Sequence, residues 1–246
     1  MNITLITSNH LRHKRFAKSM CETMPVSLVI IENKPQNNED LKQKEKEYFS
    51  SLQGWRPSCT MWHLGKGEIN ERYVARELSS LEPDFIFTFG CSLLKPRIFS
   101  IPKNGCINIH TGLVQKFRGV DSSFWALSKE MPEAIGATIH YINKGIDSGN
   151  IIFQTRPELN VEDTLEDVFL KTCLDSFEDL AENSARILSG DVRGLPLNTK
   201  GELYQSKDMN NFVHEKTKNN LTNVLKSYIL DKEERDGKIP LISCWT

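Results

Sequence analysis

Long apolar runs are missing from this sequence. No stretch of its 246 residues approaches the roughly 20 consecutive apolar residues of a membrane-spanning helix, so no membrane partner is expected. Paired cysteines are missing as well. Cys21, Cys59, Cys91, Cys106, Cys173 and Cys244 form no C-x-x-C pair, which argues against a zinc site, or any other metal centre, and against a disulfide framework. They read as small buried apolar residues. Cys91 alone falls in a loop, where it would need a base beside it to act as a nucleophile. An excess of charge of one sign is also absent. Lys and Arg number 31 and Asp and Glu 32, a formal net charge of −1. Nothing therefore draws the whole chain to nucleic acid or to an anionic membrane, and an anionic ligand must be held by a local cluster. No basic leader or cleavage site precedes the first strand-like residues, so the expected location is cytoplasmic. No G-x-G-x-x-G follows that strand, which removes the dinucleotide fingerprint. Internal repeats and low-complexity segments are lacking too.

What is present suffices for a core. The length suits one large domain, or a main domain with a small appendage. At 39% hydrophobic and 26% charged residues, the chain can bury a core and keep a polar surface. Residues 2–7 read as a strand, 9–20 as a helix with Leu11, Phe16 and Met20 on its apolar side, and 26–31 as a buried parallel strand. Strand, helix and strand make a βαβ unit. Asn9, Arg12, His13 and Lys14 stand in the first turns of that helix. A helix N-terminus so furnished can bind phosphate through amides and cations together. A solvated basic face fits the same residues.

Residues 37–52 form a Lys/Glu-rich, exposed helix docked by Leu41, Tyr48, Phe49 and Leu52, and 54–67 are irregular with room for one short strand. A helix over 68–81 is closed by Pro83. Residues 84–89 are apolar or aromatic nearly throughout, as a central strand would be, and end at Gly90. Ligands of open α/β sheets gather at the carboxyl ends of strands, and a glycine there lets backbone approach a flat ligand closely. Residues 105–119 start as a strand and break into a loop. Asn108 and His110, two apart, leave the same face of that strand. They are either a working pair or a strand-end histidine bonded to a nearby carbonyl.

A helix over 122–128 follows, with Asp121 or Ser122 as N-cap. A strand over 136–142 carries His140 inside alternating β sequence, which favours a structural role. It pairs with a strand over 150–155, so that Asp147 sits at the hairpin end between Gly145 and Gly149. One long amphipathic helix spans 162–188. Gly190 and residues 194–196 mark a boundary, after which a short strand (201–205) and a polar helix (214–230) are too small for a core of their own.

In order and spacing, N-x-H at Asn108 and His110, the Arg118-Gly119 pair, the helix bearing Trp125, G-A-T-x-H ending at His140, and D-x-G at Asp147 resemble the folate-dependent formyltransferases over residues 84–155. The resemblance implies an α/β fold: a Rossmann-like formyltransferase core with a mixed, mostly parallel central sheet flanked by helices. Residues 1–190 would be the catalytic domain and 191–246 a small C-terminal appendage. It also implies an enzyme that uses 10-formyltetrahydrofolate as formyl donor and no metal, with Asn108, His110 and Asp147 as its catalytic trio. The stretch Phe89, Gly90, Cys91, Ser92, Leu93 and Leu94 resembles the family's folate loop, and His140, Tyr141 and Ile142 would line the opposite wall of that pocket. Two departures stand out. Thr111 to Gln115 replaces the family's usual Ser-Leu-Leu-Pro, which would turn Thr111 and Gln115 toward the acceptor. The glycine loop of glycinamide ribonucleotide formyltransferases is also missing.

Among acceptors, initiator tRNA calls for a full C-terminal barrel and a basic surface, so no nucleic-acid partner is expected here. The sugar N-formyltransferases, which act on nucleotide-linked amino-deoxy sugars in surface polysaccharide biosynthesis, fit best. The diphosphate would lie against Arg12, His13 and Lys14, with Asn9 beside it and Arg118 and Gly119 closing over it. Small-molecule partners are thus expected, with room for a homodimer. A methionyl-tRNA or other amine formyltransferase, a formyltetrahydrofolate hydrolase and a folate-binding module without turnover are the alternatives.

Overall fold

Strands that are apolar on both faces need cover on both faces, and a parallel sheet with flanking helices supplies it. The computed structural model describes residues 1–245. In chain order its elements are β1 (Ile3–Ser8), α1 (Leu11–Thr23), β2 (Val26–Asn33), α2 (Glu39–Phe49), β3 (Thr60–Gly65), α3 (Arg72–Ser80), β4 (Phe85–Thr88), α4 (Pro96–Phe99) and β5 (Cys106–His110). There follow β6 (Phe117–Gly119), α5 (Ser122–Ser128), β7 (Ala137–Tyr141), β8 (Ile151–Thr155), α6 (Leu165–Glu182), α7 (Ser184–Leu188), β9 (Glu202–Tyr204), α8 (Asn211–Leu230) and α9 (Lys232–Gly237). Seven strands form a sheet in the order β3-β2-β1-β4-β5-β7-β8. Pairing is parallel from β3 to β5 and antiparallel between β7 and β8. The expected mixed, mostly parallel α/β sheet is therefore present. A separate two-stranded parallel sheet joins β6 to β9. Among the described residues no helix is long and apolar enough to cross a membrane.

Differences from the sequence reading have local causes. The irregular stretch before Gly67 contains β3, paired along its whole length with β2. The helix expected over 68–81 opens as a 3-10 turn over Glu68–Asn70, and α3 starts only at Arg72. The long helix over 162–188 is two helices. At the break Asn183 leaves the helical conformation (φ −90°, ψ 5°), and its backbone and side-chain amides share the Asp179 carbonyl. Asp121 does occupy the N-cap of α5, but in a left-handed conformation and with no side-chain capping bond. The strand character of β6 has no local signature, because its partner lies more than eighty residues away.

The chain divides into two compact units: residues 1–109, 141–145 and 177–192 in the first, and 110–140, 146–176 and 193 onward in the second. In the first, Val74 and Leu78, a helical turn apart on α3, pack with Ile6, Ile30 and Ile86 of the sheet. Phe16, Phe89 and Phe177 form a second cluster there, with ring centroids 4.9–5.7 Å apart. In the second unit, Trp125 of α5 shares a core with Leu221, Val224, Leu225 and Tyr228 of α8. Trp125 also stacks on Tyr204 of β9 at 4.0 Å and 12°. The C-terminal segment thus contributes to a core it could not build alone.

Candidate active site

The turn between β7 and β8 projects one carboxylate into buried surroundings. Asp147 has φ 44°, a left-handed conformation that Asp tolerates better than most residues because its short polar side chain bonds locally. Its Oδ2 lies 3.3 Å from His110 Nδ1 and accepts a 2.9 Å bond from the Gly119 N–H. Its Oδ1 lies 3.6 Å from His140 Nε2. Burial pushes the carboxyl pKa up, yet the two imidazoles and the Gly119 amide outweigh it and hold Asp147 well below the usual carboxylate range. Asp147 is ionised at neutral pH. Gly119 must be glycine: it has φ 87°, and a Cβ would come within 2.1 Å of the Tyr204 carbonyl.

His110 ends β5 and is 7% exposed. Burial is the largest influence on its pKa and lowers it, while Asp147 pulls the other way. The resting imidazole is therefore neutral. Its Nε2 lies 3.2 Å from the Phe117 carbonyl and 3.1 Å from Ser122 Oγ. The ring nitrogens thus face two oxygens that only accept, the Asp147 carboxylate and the Phe117 carbonyl. A neutral imidazole satisfies one of them, whereas a protonated ring donates to both. The surroundings keep the ring neutral at rest and favour its taking up a proton. Asn108, two residues earlier on β5, belongs to the first unit. Its Oδ1 accepts from Thr88 Oγ1 at 2.8 Å, which makes Nδ2 the donor end of that amide.

The loop after β4 is held by side chains from four directions. Thr7 Oγ1 donates to the Phe89 carbonyl at 2.8 Å and Lys34 Nζ to the Gly90 carbonyl at 2.9 Å. Glu32, fully buried at the end of β2, accepts from the Ser92 and Gly67 amides and pairs with Lys34 at 3.4 Å. Asn70 donates to the Leu93 carbonyl at 3.0 Å and accepts from the Lys95 amide at 2.7 Å. Leu94 is buried and Leu93 is 70% exposed. The thiol of Cys91 is pushed up to about 12 by burial and by the Glu32 carboxylate, which excludes an activated nucleophile. Gly90, at φ 64°, has no room for a side chain, since a Cβ would meet His13 Nε2 at 2.4 Å. Gly90→Ala is expected to reshape this loop at a conformational cost of about 1–2 kcal/mol. Tetrahydrofolate affinity should drop about tenfold by titration calorimetry, and Gly54→Ala, in open space, should leave it unchanged. Equal affinities in the two variants would dissociate the loop from folate.

Several residues expected at ligands are instead occupied within the protein. Arg12 is paired with the buried carboxylate of Glu45. His13 is buried, bonded to Ser8 Oγ and edge-on to Phe89 at 5.0 Å. Burial, then Arg12, His10 and Lys34, lower its pKa well below the ordinary value, so it presents no cation. Lys14 donates to the Gln53 carbonyl at 2.8 Å, and Asn9 accepts from the Lys34 amide at 2.9 Å. Arg118 spends its guanidinium on the carbonyls of Gly201 and Ile146, both at 3.0 Å, rather than on an anion. Gln115 exchanges two amide bonds with Gln154, at 3.0 and 2.7 Å. The Thr111 carbonyl accepts from Ser123 Oγ at 3.3 Å. Tyr141 packs beneath Gly105 and donates to the Val192 carbonyl, and Ile142 packs against the core of the first unit. Sequence reasoning missed Glu32, whose signal was a lone carboxylate ending an apolar strand. It also assigned His140 to a pocket wall, whereas the structure sets it against Asp147.

Comparisons with known proteins bear on the family and the fold. A family model described as formyl transferase matches residues 3–175. The methionyl-tRNA formyltransferase of Kosmotoga olearia is 34% identical over 140 residues, 56% of this chain and 45% of that one. The match therefore spans less than half of that relative's length. A sugar N-formyltransferase from Shewanella sp FDAARGOS_354 has a TM-score of 0.61 at 18% identity, over 85% of this chain and 78% of that one. The formyltransferase PseJ from Anoxybacillus kamchatkensis, solved with UDP-4,6-dideoxy-4-formamido-L-AltNAc and tetrahydrofolate, has a TM-score of 0.53 at 20% identity, over 85% and 87% of the two chains. At those identities the two structures speak for the fold, and the family model speaks for descent: this chain belongs to the formyl transferase family.

Proposed function

We propose that the protein transfers the formyl group of 10-formyltetrahydrofolate to the amine of a nucleotide-linked amino-deoxy sugar. The observation that carries the transfer chemistry is an ionised Asp147 set against a neutral, buried His110. In the reaction the amine nitrogen attacks the formyl carbon, forming a C–N bond and a tetrahedral oxyanion. Collapse breaks the bond to N10 of the folate, which leaves as the protonated amine of tetrahydrofolate while the acceptor nitrogen loses a proton. Asn108 Nδ2 donates to the oxyanion, a contribution typically of about 100- to 1,000-fold. His110 takes up the proton, and Asp147 and the Phe117 carbonyl then each accept a bond from the imidazolium. The loop from Phe89 to Leu94, with its glycine and its pinned backbone, supports a rigid seat for the pterin.

The sugar acceptor draws support from the nucleotide-sugar ligand of the PseJ structure. The methionyl-tRNA reading has its own support in the 34% identity to a methionyl-tRNA formyltransferase. The test is tetrahydrofolate release from 10-formyltetrahydrofolate with a panel of nucleotide-linked 3-amino and 4-amino dideoxy sugars, with charged initiator tRNA, and with water alone. Release that depends on an amino sugar is the expected result. Release with tRNA only, or equal release without any amine, would replace the reading by a tRNA formyltransferase or a hydrolase.

A further inference from the structure

Two adjoining cavities in the first unit belong to none of the steps above. One, of about 430 Å³, is lined by Lys14, Lys34, Lys42 and Lys46 together with His10 and Gln36. The carboxylate on its wall, Glu45, is already taken by Arg12 and the Leu11 amide. Lys14 and Lys34 are bonded within the protein, whereas Lys42 meets only the exposed Glu39 at 3.2 Å, a solvated pair that a bound anion can displace. Two buried atoms on its wall find no hydrogen-bond partner: Gln36 Nε2, a donor, and His10 Nδ1. His10 Nε2 lies 3.1 Å from the Lys34 carbonyl and must donate to it, so Nδ1 of the neutral ring is an acceptor, suited to a hydroxyl. The second cavity, of about 150 Å³, has Val29, Ile31 and Met61 on its walls, with Trp55 and Pro57 beside them and His63 among its polar groups. Asn9 and Lys14 line both cavities.

A wall of ammonium groups beside an apolar, aromatic slot matches a molecule that is anionic at one end and flat at the other. We infer that the two cavities form one nucleoside-diphosphate site, with the phosphates on Lys42 and Lys46 and the base against Trp55. The inference rests on the nucleotide-sugar reading and relocates its diphosphate, since Arg12 and His13 are consumed internally and α2 supplies the charge in their place. Lysine is suited to this work as a mobile point charge that does not demand a fixed bidentate geometry. Base stacking on an aromatic ring tolerates different bases, so the slot alone leaves the base unselected, and hydrogen bonds from groups such as His63 must select it.

Titration calorimetry on the full chain with UDP, dTDP, GDP and inorganic pyrophosphate tests the assignment. At least one nucleoside diphosphate should bind more tightly than pyrophosphate. Lys42→Ala combined with Lys46→Ala should weaken that nucleotide and pyrophosphate alike, on the order of tenfold or more. Trp55→Ala should weaken the nucleotide about tenfold and leave pyrophosphate unchanged, and Trp55→Phe, which keeps a ring and the fold, should restore most of the loss. Wild-type nucleotide affinity in the double lysine variant would overturn the inference, as would no binding of any nucleotide or equal effects of Trp55→Ala on both ligands. Formyl transfer is read separately. Turnover on an amino sugar with unchanged nucleotide affinity in the variants sinks this site alone, whereas lysine-dependent binding without turnover sinks the function alone.

Discussion

Asp147→Asn should lower kcat/KM for formyl transfer by on the order of 100- to 10,000-fold with little change in tetrahydrofolate affinity. Asn adopts the left-handed conformation at this position as readily as Asp, so the substitution removes a charge without reshaping the turn. Without the carboxylate, His110 loses the larger of the two influences that raise its pKa, and burial is opposed only by the Phe117 carbonyl. The pH profile supplies the sign. Because folded His110 already titrates below the ordinary 6.5, its basic form persists under mild acid, and the acid limb of kcat/KM should lie below pH 6.5. In Asp147→Asn the residual activity should carry that limb to still lower pH. Stability follows the same direction. Protonation of His110 is easier in the unfolded chain, so its contribution is complete above about pH 6.5 and declines as pH falls. That of Asp147, whose folded pKa is depressed, is complete above the ordinary carboxylate value and is lost only as pH falls through the lower folded one. A variant with wild-type turnover, or an acid limb above pH 6.5, would remove Asp147 and His110 from the reaction.

Glu32→Ala is the second large effect expected, and it lies away from the reacting atoms. The carboxylate accepts from the Gly67 and Ser92 amides and faces the Lys34 ammonium, all around a fully buried side chain. Removing it strands two backbone donors and one cation, and breaking such a buried pair typically costs about 3–5 kcal/mol. For a protein of this size that is a fall in Tm of roughly 10 °C. The loop at Ser92 would lose its anchor, so tetrahydrofolate affinity should fall as well. Glu32→Gln retains an acceptor oxygen and the side-chain volume, and should lose less in both measurements. A Glu32→Ala protein that melts with the wild type would show that Asn70 and Thr7 hold the loop by themselves.

How much of this was legible in the sequence depended on the range over which each signal acts. The apolar strands and the βαβ opening were readable because strand burial is written in consecutive residues. The N-x-H, R-G and D-x-G motifs were readable through their order and spacing, which carry the resemblance to the formyltransferases, and the β7–β8 hairpin placed Asp147 at a strand end. The fate of individual cations was not. Arg12 looks like a phosphate ligand until Glu45, 33 positions away, takes it, and Arg118 does so until the Gly201 carbonyl does. An ion pair between distant elements leaves no periodicity behind. Gln115 was misread for the same reason, its partner Gln154 lying on β8.

The short sheet of β6 and β9 ties the tail of the chain to the proposed transfer site. β6 is bound along one edge to β9, and its residues Arg118 and Gly119 bond to the carbonyl of Ile146 and the carboxylate of Asp147. The Asp147 carboxylate is thus aimed, in part, by a strand whose position depends on residues 202–204. Grafting the tail of a relative onto this chain would therefore disturb the Asp147 turn as well. A recombination scheme that keeps β9 with β6 as one inherited piece should give active chimeras where a cut between residues 190 and 191 does not.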